Sequence, residues 1–399
     1  MLLVVASSLA SFVVLVSAVA RGPIAFRDSI ISLPITKNIN GNGTVDIDRG
    51  DQARLMNFAS GFDQLSVSTL DAIPNLDIPL SDAGSFYTAT VEIGIPPSYY
   101  NVIVDTGSAN TRVRANKPYQ KTKTSTRTSD ILNATYGTAA VYGAAIQQSI
   151  GIASKSSGIY PFDEILGIGP RDLTLGTLLP HYKSTILTVT DNLFMQGIIE
   201  QNLIAMSFEP TTSETVYGEL TFGGTDSTKY TGDAHAITWT LGIAVAHLIL
   251  ALCSPVTTTF PSSVYWGLEL SFRYGDATPI LDTNAGILDT GSTLIYIATD
   301  AYKRYVDATG AVLDKDTGLL RINTAQYKNL HSSPACSTPN ISGGKKDSIY
   351  LVMQDMKKNI PGFQFICNKA FLERFYTVFD TGNARIGIAT TPSTQADTN

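Results

Sequence analysis

The sequence predicts a mainly β protein built as two lobes. The chain has 399 residues, and a single hydrophobic core stops growing at about 250–300 residues. From about Phe86 onward, short runs of β-branched and aromatic residues alternate with Gly, Pro, Asn, Asp and Ser. One short pattern also occurs twice, about one lobe apart. Together these observations favour two similar β-rich halves.

The composition supports a folded chain and excludes several function classes. Hydrophobic residues make up 44% and charged residues 16%, with 32 Gly and 18 Pro, which is typical of short strands joined by many turns. The net charge is -6 and no Lys/Arg cluster occurs, so neither nucleic acid nor an anionic membrane is an expected partner. The four His and three Cys lack metal-ligand spacing, and nucleotide-binding motifs are missing. We therefore expect no metal and no cofactor.

The first twenty residues resemble a secretory signal. Residues 2–20 form one apolar run that ends in small residues, and Ala18 and Ala20 give the A-x-A arrangement that precedes signal cleavage. The alternative is an uncleaved membrane anchor, although the run is near the lower length limit for spanning a bilayer. We expect a secreted protein without stable membrane association, with the vacuole as a second location.

The remaining chain divides into three predicted segments. Residues 21–75 carry scattered charge without sustained strand alternation, which indicates a pro-segment. An N-terminal lobe is predicted over 76–225 and a C-terminal lobe over 226–399. Short helices are expected at 190–196 and 300–309, where apolar residues follow helical spacing. If a disulfide forms, the pairing that we expect is Cys336 with Cys367, because Cys253 lies in an atypical stretch.

The repeated pattern is the sequence Asp-Thr-Gly-Ser after an apolar strand. It appears as VIVDTGSAN around Asp105 and as GILDTGSTL around Asp289, 184 residues apart. The tripeptide Asp-Thr-Gly also occurs at Asp316 and Asp380, but without the following Ser. Asp316 lies in a polar stretch typical of a surface turn, and Asp380 precedes a turn between two terminal strands. We therefore expect only Asp105 and Asp289 to form a functional pair.

Two facing copies of this pattern suit acid–base chemistry. Thr can bond across a two-fold axis, Gly admits a second backbone, and Ser can bond the carboxylate. Two carboxylates in contact cannot both ionise freely, so they share a proton and titrate as a unit. One carboxylate can then activate a water while its protonated partner polarises a peptide carbonyl.

These motifs identify the chain as similar to the pepsin family of aspartic proteases, and most to fungal acid proteases of the polyporopepsin kind. The resemblance runs over residues 87–389. It includes the IGIPP turn, both DTGS motifs, YGT at 136–138, ILGIG at 165–169, TDNLFMQG from Thr190, GELTFGGTD from Gly218 and FLERFYTVFD ending at Asp380. The resemblance implies a bilobal fold with an active-site cleft, and a secreted endopeptidase that hydrolyses polypeptides in acid.

The resemblance also implies roles for particular residues. Asp105 and Asp289 are the expected catalytic pair, and Tyr136 lies at the tip of a hairpin, the flap, that closes over the substrate. Lys37 resembles a pro-segment lysine that pairs with the carboxylates before activation, although it could equally be a solvated lysine. The expected partners are polypeptide substrates and the chain's own pro-segment, and the expected state is a monomer. The supporting residues around the pair are Thr106, Gly107, Ser108, Thr290, Gly291 and Ser292, and those of the flap are Tyr136, Gly137 and Thr138.

Several positions depart from the family pattern. Arg112 stands where a Trp that bonds the flap tyrosine is usual, and a cation there would favour ionised carboxylates. The sequence after Gly143 is shorter than the family's hairpin, and residues 241–260 have no counterpart. These departures leave an alternative open: an impaired, non-catalytic binding protein that uses the same cleft, or a protease sequence with misplaced exon borders.

Overall fold

Strands dominate the computed structural model, as the alternating sequence pattern predicts. The structure describes part of the chain: residues 26–27, 30–39, 48, 51–52, 54–55, 58, 85–93, 96, 98–113, 127–136, 139–146, 150–156, 164–208, 217–232, 237–239, 244–245, 250–251, 257–259, 264–274, 278–323, 337–338, 345 and 348–394. The predicted signal segment, Gly137, Thr138 and Cys336 lie outside them.

The described residues contain twenty-six strands, numbered in chain order. The first thirteen are β1 (Phe26–Arg27), β2 (Ile30–Ile39), β3 (Ser85–Ile93), β4 (Ser98–Asp105), β5 (Thr111–Val113), β6 (Arg127–Tyr136), β7 (Ala139–Ile146), β8 (Ile150–Ser156), β9 (Glu164–Gly167), β10 (Leu178–Leu179), β11 (Leu203–Phe208), β12 (Tyr217–Phe222) and β13 (Thr238–Trp239). The others are β14 (Ala244–Val245), β15 (Leu250–Ala251), β16 (Gly267–Tyr274), β17 (Thr278–Leu288), β18 (Ile295–Ile297), β19 (Val312–Leu313), β20 (Leu320–Ile322), β21 (Ser337–Thr338), β22 (Ile349–Leu351), β23 (Met353–Asp355), β24 (Phe365–Cys367), β25 (Phe375–Asp380) and β26 (Arg385–Thr390).

The strands form four sheets. A ten-stranded sheet has the order β13-β26-β25-β11-β12-β2-β3-β4-β9, with β1 beside β2. A five-stranded sheet, β10-β6-β7-β8-β5, lies wholly in the first half of the chain. The second half contributes a seven-stranded sheet, β14-β15-β16-β17-β24-β18-β23, and a four-stranded sheet, β19-β20-β22-β21. The ten-stranded sheet takes strands from both halves and therefore joins them.

Helices are few and short in the part of the chain that the structure describes. The helices with described bounds are α1 (Val189–Met195), α2 (Thr299–Thr309) and α3 (Lys369–Leu372), with 3₁₀ turns at Arg171–Thr174 and Ser227–Lys229. Residues 48, 51–52, 54–55 and 58 also have helical backbone geometry. The predicted helices at 190–196 and 300–309 are confirmed as α1 and α2. Thr188 caps α1 because its hydroxyl accepts from the Asp191 N–H while the Asp191 carboxylate accepts from the Thr188 N–H. Among the described residues, no helix is long and apolar enough to cross a membrane.

Strand β2 lies in the segment for which the sequence predicted no sustained strand. Its side chains Leu33 and Ile35 are buried in the core, and it pairs with β12 over Ile31–Thr36 and with β3 over Thr36–Ile39. Pro34 has no backbone N–H, but it lies where β2 is paired on the β12 side only. The segment before the first lobe is therefore part of the ten-stranded sheet.

Buried apolar side chains from both halves form one continuous core, which includes residues of the strands that lead to the two Asp-Thr-Gly-Ser motifs. Val104 and Leu166 come from the first half, and Leu288 and Phe365 from the second, all nearly inaccessible to solvent. The indole N–H of Trp266 donates to the carbonyl of Ile168 at 3.0 Å, which adds a polar bond between the halves. Strands embedded in such a core hold the residues at their ends in fixed positions.

Candidate active site

Each Asp-Thr-Gly-Ser motif begins where a buried strand ends. Strand β4 ends at Asp105 and lies parallel to β9, and strand β17 ends just before Asp289 and lies parallel to β24. Both Asp side chains are almost completely buried, with 1% and 0% exposed. Each half of the chain thus places its carboxylate at the end of a buried strand that lies parallel to a neighbouring strand.

The threonines of the two motifs bond across the boundary between the halves. The backbone N–H of Thr106 donates to the Thr290 hydroxyl at 2.9 Å, and the N–H of Thr290 donates to the Thr106 hydroxyl at 2.8 Å. The hydroxyls then donate to the carbonyls of Leu288 and Val104 at 3.2 and 2.9 Å. This reciprocal set satisfies buried polar groups and fixes one motif against the other.

The serine and the glycine of each Asp-Thr-Gly-Ser repeat donate hydrogen bonds to the carboxylate of the same repeat. The Ser108 hydroxyl donates to Asp105 Oδ2 at 2.7 Å, and the Ser292 hydroxyl donates to Asp289 Oδ2 at 2.9 Å. The N–H groups of Gly107 and Gly291 donate to the Oδ1 atoms of the same two residues at 2.9 and 3.1 Å. The supporting residues named from the sequence therefore lie around the pair, in two nearly identical sets.

A guanidinium group from the segment before the first lobe joins the two carboxylates. Arg54 donates through Nε to Asp289 Oδ2 at 2.8 Å and through Nη2 to Asp289 Oδ1 at 2.8 Å. The same Nη2 donates to Asp105 Oδ1 at 2.6 Å. One nitrogen atom thus contacts both acids, so the two carboxylates lie within reach of a single small group.

The two motif glycines make room for this cation. A Cβ atom on Gly107 would lie 2.6 Å from Arg54 Nη2, and one on Gly291 would lie 2.7 Å from Arg54 Nη1. Both distances are shorter than real contacts of a Cβ atom, so any side chain here would displace the guanidinium. Glycine is thus required at these positions by the close approach of side chains, those of Arg54 and, at Gly107, also Asp289, rather than by the second backbone that was expected from the sequence.

The pKa values of the pair move in opposite directions. Burial raises the pKa of Asp105, and the charge of Asp289 adds to this although Arg54 and two hydrogen bonds oppose it. Burial also raises the pKa of Asp289, but the double contact with Arg54 and the bonds from Gly291 and Ser292 outweigh it and lower the value. The two carboxylates raise the pKa of Arg54 despite its burial. With Arg54 bound, Asp105 is therefore the site where a proton is held more readily.

Five more residues near Arg54 secure the same segment on the second half of the chain. Asp48, Asp51, Gln52, Leu55 and Phe58 share helical backbone geometry with Arg54. Asp51 Oδ2 accepts from the N–H groups of Thr293 and Leu294 at 2.9 and 2.8 Å, and burial raises its pKa to about 7. The Gln52 amide donates to the carbonyl of Asp355 at 2.6 Å. The segment covers the carboxylate pair through polar contacts.

Phe58 of the same segment makes aromatic contacts with the second half of the chain. The Phe58 ring lies 5.2 Å from the Tyr265 ring in an edge-to-face arrangement and 6.4 Å from the Phe363 ring. The Arg54 guanidinium carbon lies 5.3 Å from the centre of the Phe58 ring. This ring shields the cation from water and strengthens its contacts with the carboxylates.

Lys37 lies on β2, where its backbone pairs with Tyr87, but its side chain lies outside the described residues, so its role remains a prediction. The cation that the described residues place at the two carboxylates is Arg54. Sequence reasoning missed Arg54, although Asp48, Asp51 and Leu55 recur near it at helical spacing. That spacing could have indicated a short helix with one charged face.

The flap expectation is only partly within the described residues. Strands β6 and β7 form an antiparallel hairpin in which Tyr136 pairs with Ala139, so Tyr136 lies at its end. The side chain of Tyr136, and Gly137 and Thr138 altogether, lie outside the described residues. Strand β7 continues to Ile146 and pairs with β8. The shorter sequence after Gly143 therefore still forms a complete return strand.

Arg112, which stands in place of the family's Trp, is completely buried on β5. The cation that bonds the two carboxylates is Arg54. The effect of Arg112 on the ionisation of the pair remains a prediction. Cys367, expected to pair with Cys336, is buried on β24, and its pairing remains a prediction.

The two other Asp-Thr-Gly motifs lie in turns, as expected from their sequence context. Asp316 is 3.7 Å from Lys345 on the surface. Asp380 ends β25 and accepts from Asn383 and from Arg385 Nε at 2.7 Å, which closes the β25–β26 turn. Neither residue is part of the carboxylate pair. In the part of the chain that the structure describes, no group of three or more His, Cys, Asp or Glu is arranged to hold a metal ion.

Two buried carboxylates on symmetric strand ends, cross-linked by threonines and placed between two β-rich halves, define the aspartic protease class. The family model for eukaryotic aspartyl proteases matches residues 86–391, and the chain belongs to this family. The predictions of the fold, the family and an aspartic endopeptidase are thereby confirmed.

Individual relatives agree with this assignment. Polyporopepsin of Irpex lacteus is 46% identical over 353 residues, which are 81% of this chain and 99% of that protein. A crystal structure of the aspartic proteinase from Irpex lacteus matches with a TM-score of 0.69 and 46% identity, covering 79% of this chain and 96% of that chain. Pepsin A of Suncus murinus is 25% identical over 340 residues, 76% of this chain and 80% of that protein. These relatives are proteases, so the family supports the protease over the non-catalytic binding protein.

Proposed function

We propose that Asp105 and Asp289 are the catalytic pair of a peptide hydrolase that works in acid. The single observation that carries this proposal is the shared contact with Arg54 Nη2, at 2.6 Å from Asp105 and 2.8 Å from Asp289. A group the size of a water molecule can contact both carboxylates at the position of that nitrogen. Ser108 and Ser292 support the pair by fixing one oxygen of each carboxylate.

The chemistry follows from one proton shared by the two acids. The ionised carboxylate removes a proton from the bound water as its oxygen attacks the peptide carbonyl carbon, and the protonated carboxyl donates to the carbonyl oxygen. The tetrahedral intermediate then breaks its C–N bond as a proton passes to the leaving nitrogen. Because the pair titrates as a unit, the acid and base roles belong to the pair once Arg54 has left.

We also propose that residues 21–75 are a pro-segment that keeps the full-length chain inactive. Arg54 lies where the water and the peptide carbonyl must be, and Asp51 and Phe58 hold the segment on either side of it. Strand β2 adds pairing with β3 and β12. Cleavage after this segment removes Arg54 and opens the cleft to polypeptide substrates.

The compartment, the lobes and the flap complete the proposal. Residues 1–20 act as a signal peptide that directs a monomeric protein to the outside of the cell, with the vacuole as the alternative. Residues 76–225 and 226–399 form the two lobes, one catalytic Asp in each. Tyr136, the last residue of β6, closes over the bound peptide together with Gly137 and Thr138, which come next in the chain. Closure excludes water and positions the scissile bond.

Hydrolysis by the processed protein is expected to be fast in acid and to fade toward neutral pH. Burial and the charge of Asp289 raise the pKa of Asp105, so Asp105 keeps its proton to a higher pH than an ordinary carboxyl group. Above that pH both residues are ionised and no acid remains. The measurement is the initial rate of casein hydrolysis from pH 2 to 8, with and without a metal chelator. A flat profile from pH 3 to 8, or loss of activity with the chelator, would contradict the two-carboxylate mechanism.

A further inference from the structure

A second charged contact of the segment lies away from the catalytic pair. The Lys357 ammonium donates to Asp48 Oδ2 at 2.5 Å, and the Tyr296 hydroxyl donates to Asp48 Oδ1 at 3.1 Å. The Asp48 side chain is 11% exposed and the Lys357 side chain 54% exposed. Both oxygens of one carboxylate are therefore bound by donors from the second half of the chain.

These donors are held in place by residues that do not belong to the segment. Tyr296 is fully buried on β18. Lys357 follows β23 in the left-handed region, with φ of 54°, and its backbone N–H donates to Asp355 Oδ1 at 2.8 Å. The Thr299 hydroxyl donates to the same oxygen at 2.7 Å. The Lys357 backbone and the strand that carries Tyr296 are thus held by residues outside the segment.

The charges around this contact favour an anion beside Lys357. Asp355, the acid at the end of β23, already has its Oδ1 atom bound by the Lys357 N–H and the Thr299 hydroxyl. Burial of its phenol, and then the charges of Asp355 and Asp48, raise the pKa of Tyr302 on α2 to about 12. Tyr302 therefore stays neutral. A carboxylate that meets Lys357 and Tyr296 is bound by one cation and one neutral hydroxyl.

We propose that Lys357 and Tyr296 form a carboxylate-binding subsite of the cleft, which selects peptide substrates with an acidic side chain at one position. Asp48 occupies this subsite in the full-length chain, and a substrate side chain replaces it once the segment has been removed. The inference rests on the proposed catalytic function, because the subsite acts on the rate of the same hydrolysis.

The spacing of Asp48 and Arg54 locates the selected position. Both have helical backbone geometry, and at a rise of ~1.5 Å per residue six steps along a helix cover about 9 Å. A peptide bound in extended form covers about 9 Å in roughly three residues at ~3.3 Å each. The acidic side chain is therefore expected about three or four residues from the cleaved bond.

The test uses peptides of one parent sequence that carry Asp or Asn at each of four positions on either side of the cleaved bond. The ratio of kcat/KM for the Asp and Asn peptides is measured at pH 5 for the processed protein and for Lys357→Met, Lys357→Glu and Lys358→Met. Lys358 is the exposed neighbour of Lys357, so Lys358→Met removes the same charge one residue away. Using a ratio within each protein cancels differences in folded fraction or basal rate.

At one position the unmodified protein is expected to prefer Asp by about five-fold, since a half-exposed lysine gives a modest gain that solvent screens. The preference for Asp is expected to appear as a lower KM, because a contact far from the cleaved bond stabilises the bound substrate and the transition state equally. The preference should become smaller in 0.5 M salt. Lys358→Met keeps the preference, Lys357→Met removes it, and Lys357→Glu reverses it toward Asn.

Two results would overturn the subsite: no position at which Asp is preferred, or a preference that persists in Lys357→Met. If none of the proteins cleaves any peptide, the catalytic proposal fails separately. In that case the subsite is tested by the affinity of the processed protein for the Asp and Asn forms of each peptide, measured by titration. Equal affinities at every position would show that Lys357 and Tyr296 do not bind a carboxylate of a substrate.

Discussion

Replacing Asp105 by Asn, or Asp289 by Asn, is expected to lower peptide hydrolysis by about 10⁴-fold or more. An amide neither accepts the proton of the attacking water nor shares a proton with its partner, so either change removes both halves of the mechanism. Asn has nearly the same shape as Asp and still accepts from the Ser108 or Ser292 hydroxyl. The loss should therefore appear in kcat, with little change in the melting temperature of the processed protein.

The other Asp-Thr-Gly motifs provide matched controls for this experiment. Asp316→Asn makes the same chemical change on the surface, and the rate is expected to stay within about two-fold. Asp380→Asn weakens the contact with Arg385 and is expected to lower the melting temperature while the rate per folded molecule is kept. An inactive Asp316→Asn protein beside an active Asp289→Asn protein would show that the wrong motifs were assigned to the site.

The fold and the carboxylate pair were predictable because their signals are local. Strand alternation, the residues Gly107 and Gly291, and an apolar strand before each Asp can all be seen within a few residues of sequence. The duplicated motif then required two symmetric halves to bring its copies together. The structure places Thr106 and Thr290 in reciprocal bonds, which is the cross-link that the repeated threonine suggested.

The contacts of the segment were not predictable because they join residues far apart in sequence. Arg54 meets Asp289 across 235 positions, and Asp48 meets Lys357 across 309. A single arginine in a polar stretch has no local signature that distinguishes an ion pair from a solvated side chain. Strand β2 was missed for another reason. A proline such as Pro34 is unusual within a central strand, and it is tolerated here because the pairing of β2 with β3 begins only at Thr36.

Replacing Arg54 by Gln is expected to expose the carboxylate pair in the full-length chain. The neutral side chain forms no ion pair with Asp105 or Asp289, and removing one partner of a buried ionic contact costs about 3–5 kcal/mol in other proteins. A statine-type transition-state analogue, which competes with the segment for the pair, should then bind the full-length protein roughly 100- to 1,000-fold more tightly, since each 1.4 kcal/mol is tenfold. Arg54→Lys should lie between the two, since an ammonium group cannot make the paired bonds to Asp289.

The pH dependence of analogue binding distinguishes the contribution of the Arg54 contact from the contributions of the other residues of the segment. Arg54 lowers the pKa of Asp289, so its contribution is fully present above the ordinary carboxyl value of 3.8 and is lost as pH falls through the lowered value. Asp51, whose pKa is raised to about 7, has the opposite effect on the binding of the segment. Asp51 takes up a proton when the segment binds to the rest of the chain, so this binding is favoured as pH falls from about 7 to 3.8. Release by acid therefore depends on the Arg54 contact and occurs below about pH 4.

Analogue binding to the unaltered full-length chain should therefore tighten steeply below about pH 4, and binding to Arg54→Gln should change much less over the same range. Both forms need a background of Asp105→Asn, so that self-cleavage does not remove the segment during the titration; this change keeps the two bonds between Arg54 and Asp289. Arg49→Gln removes the same charge elsewhere in the segment and should behave as the unaltered chain. Equal affinities of the Arg54→Gln and Arg49→Gln proteins at pH 6 would mean that the guanidinium contact does not keep ligands from the pair, and that β2, Asp51 and Phe58 hold the segment without it.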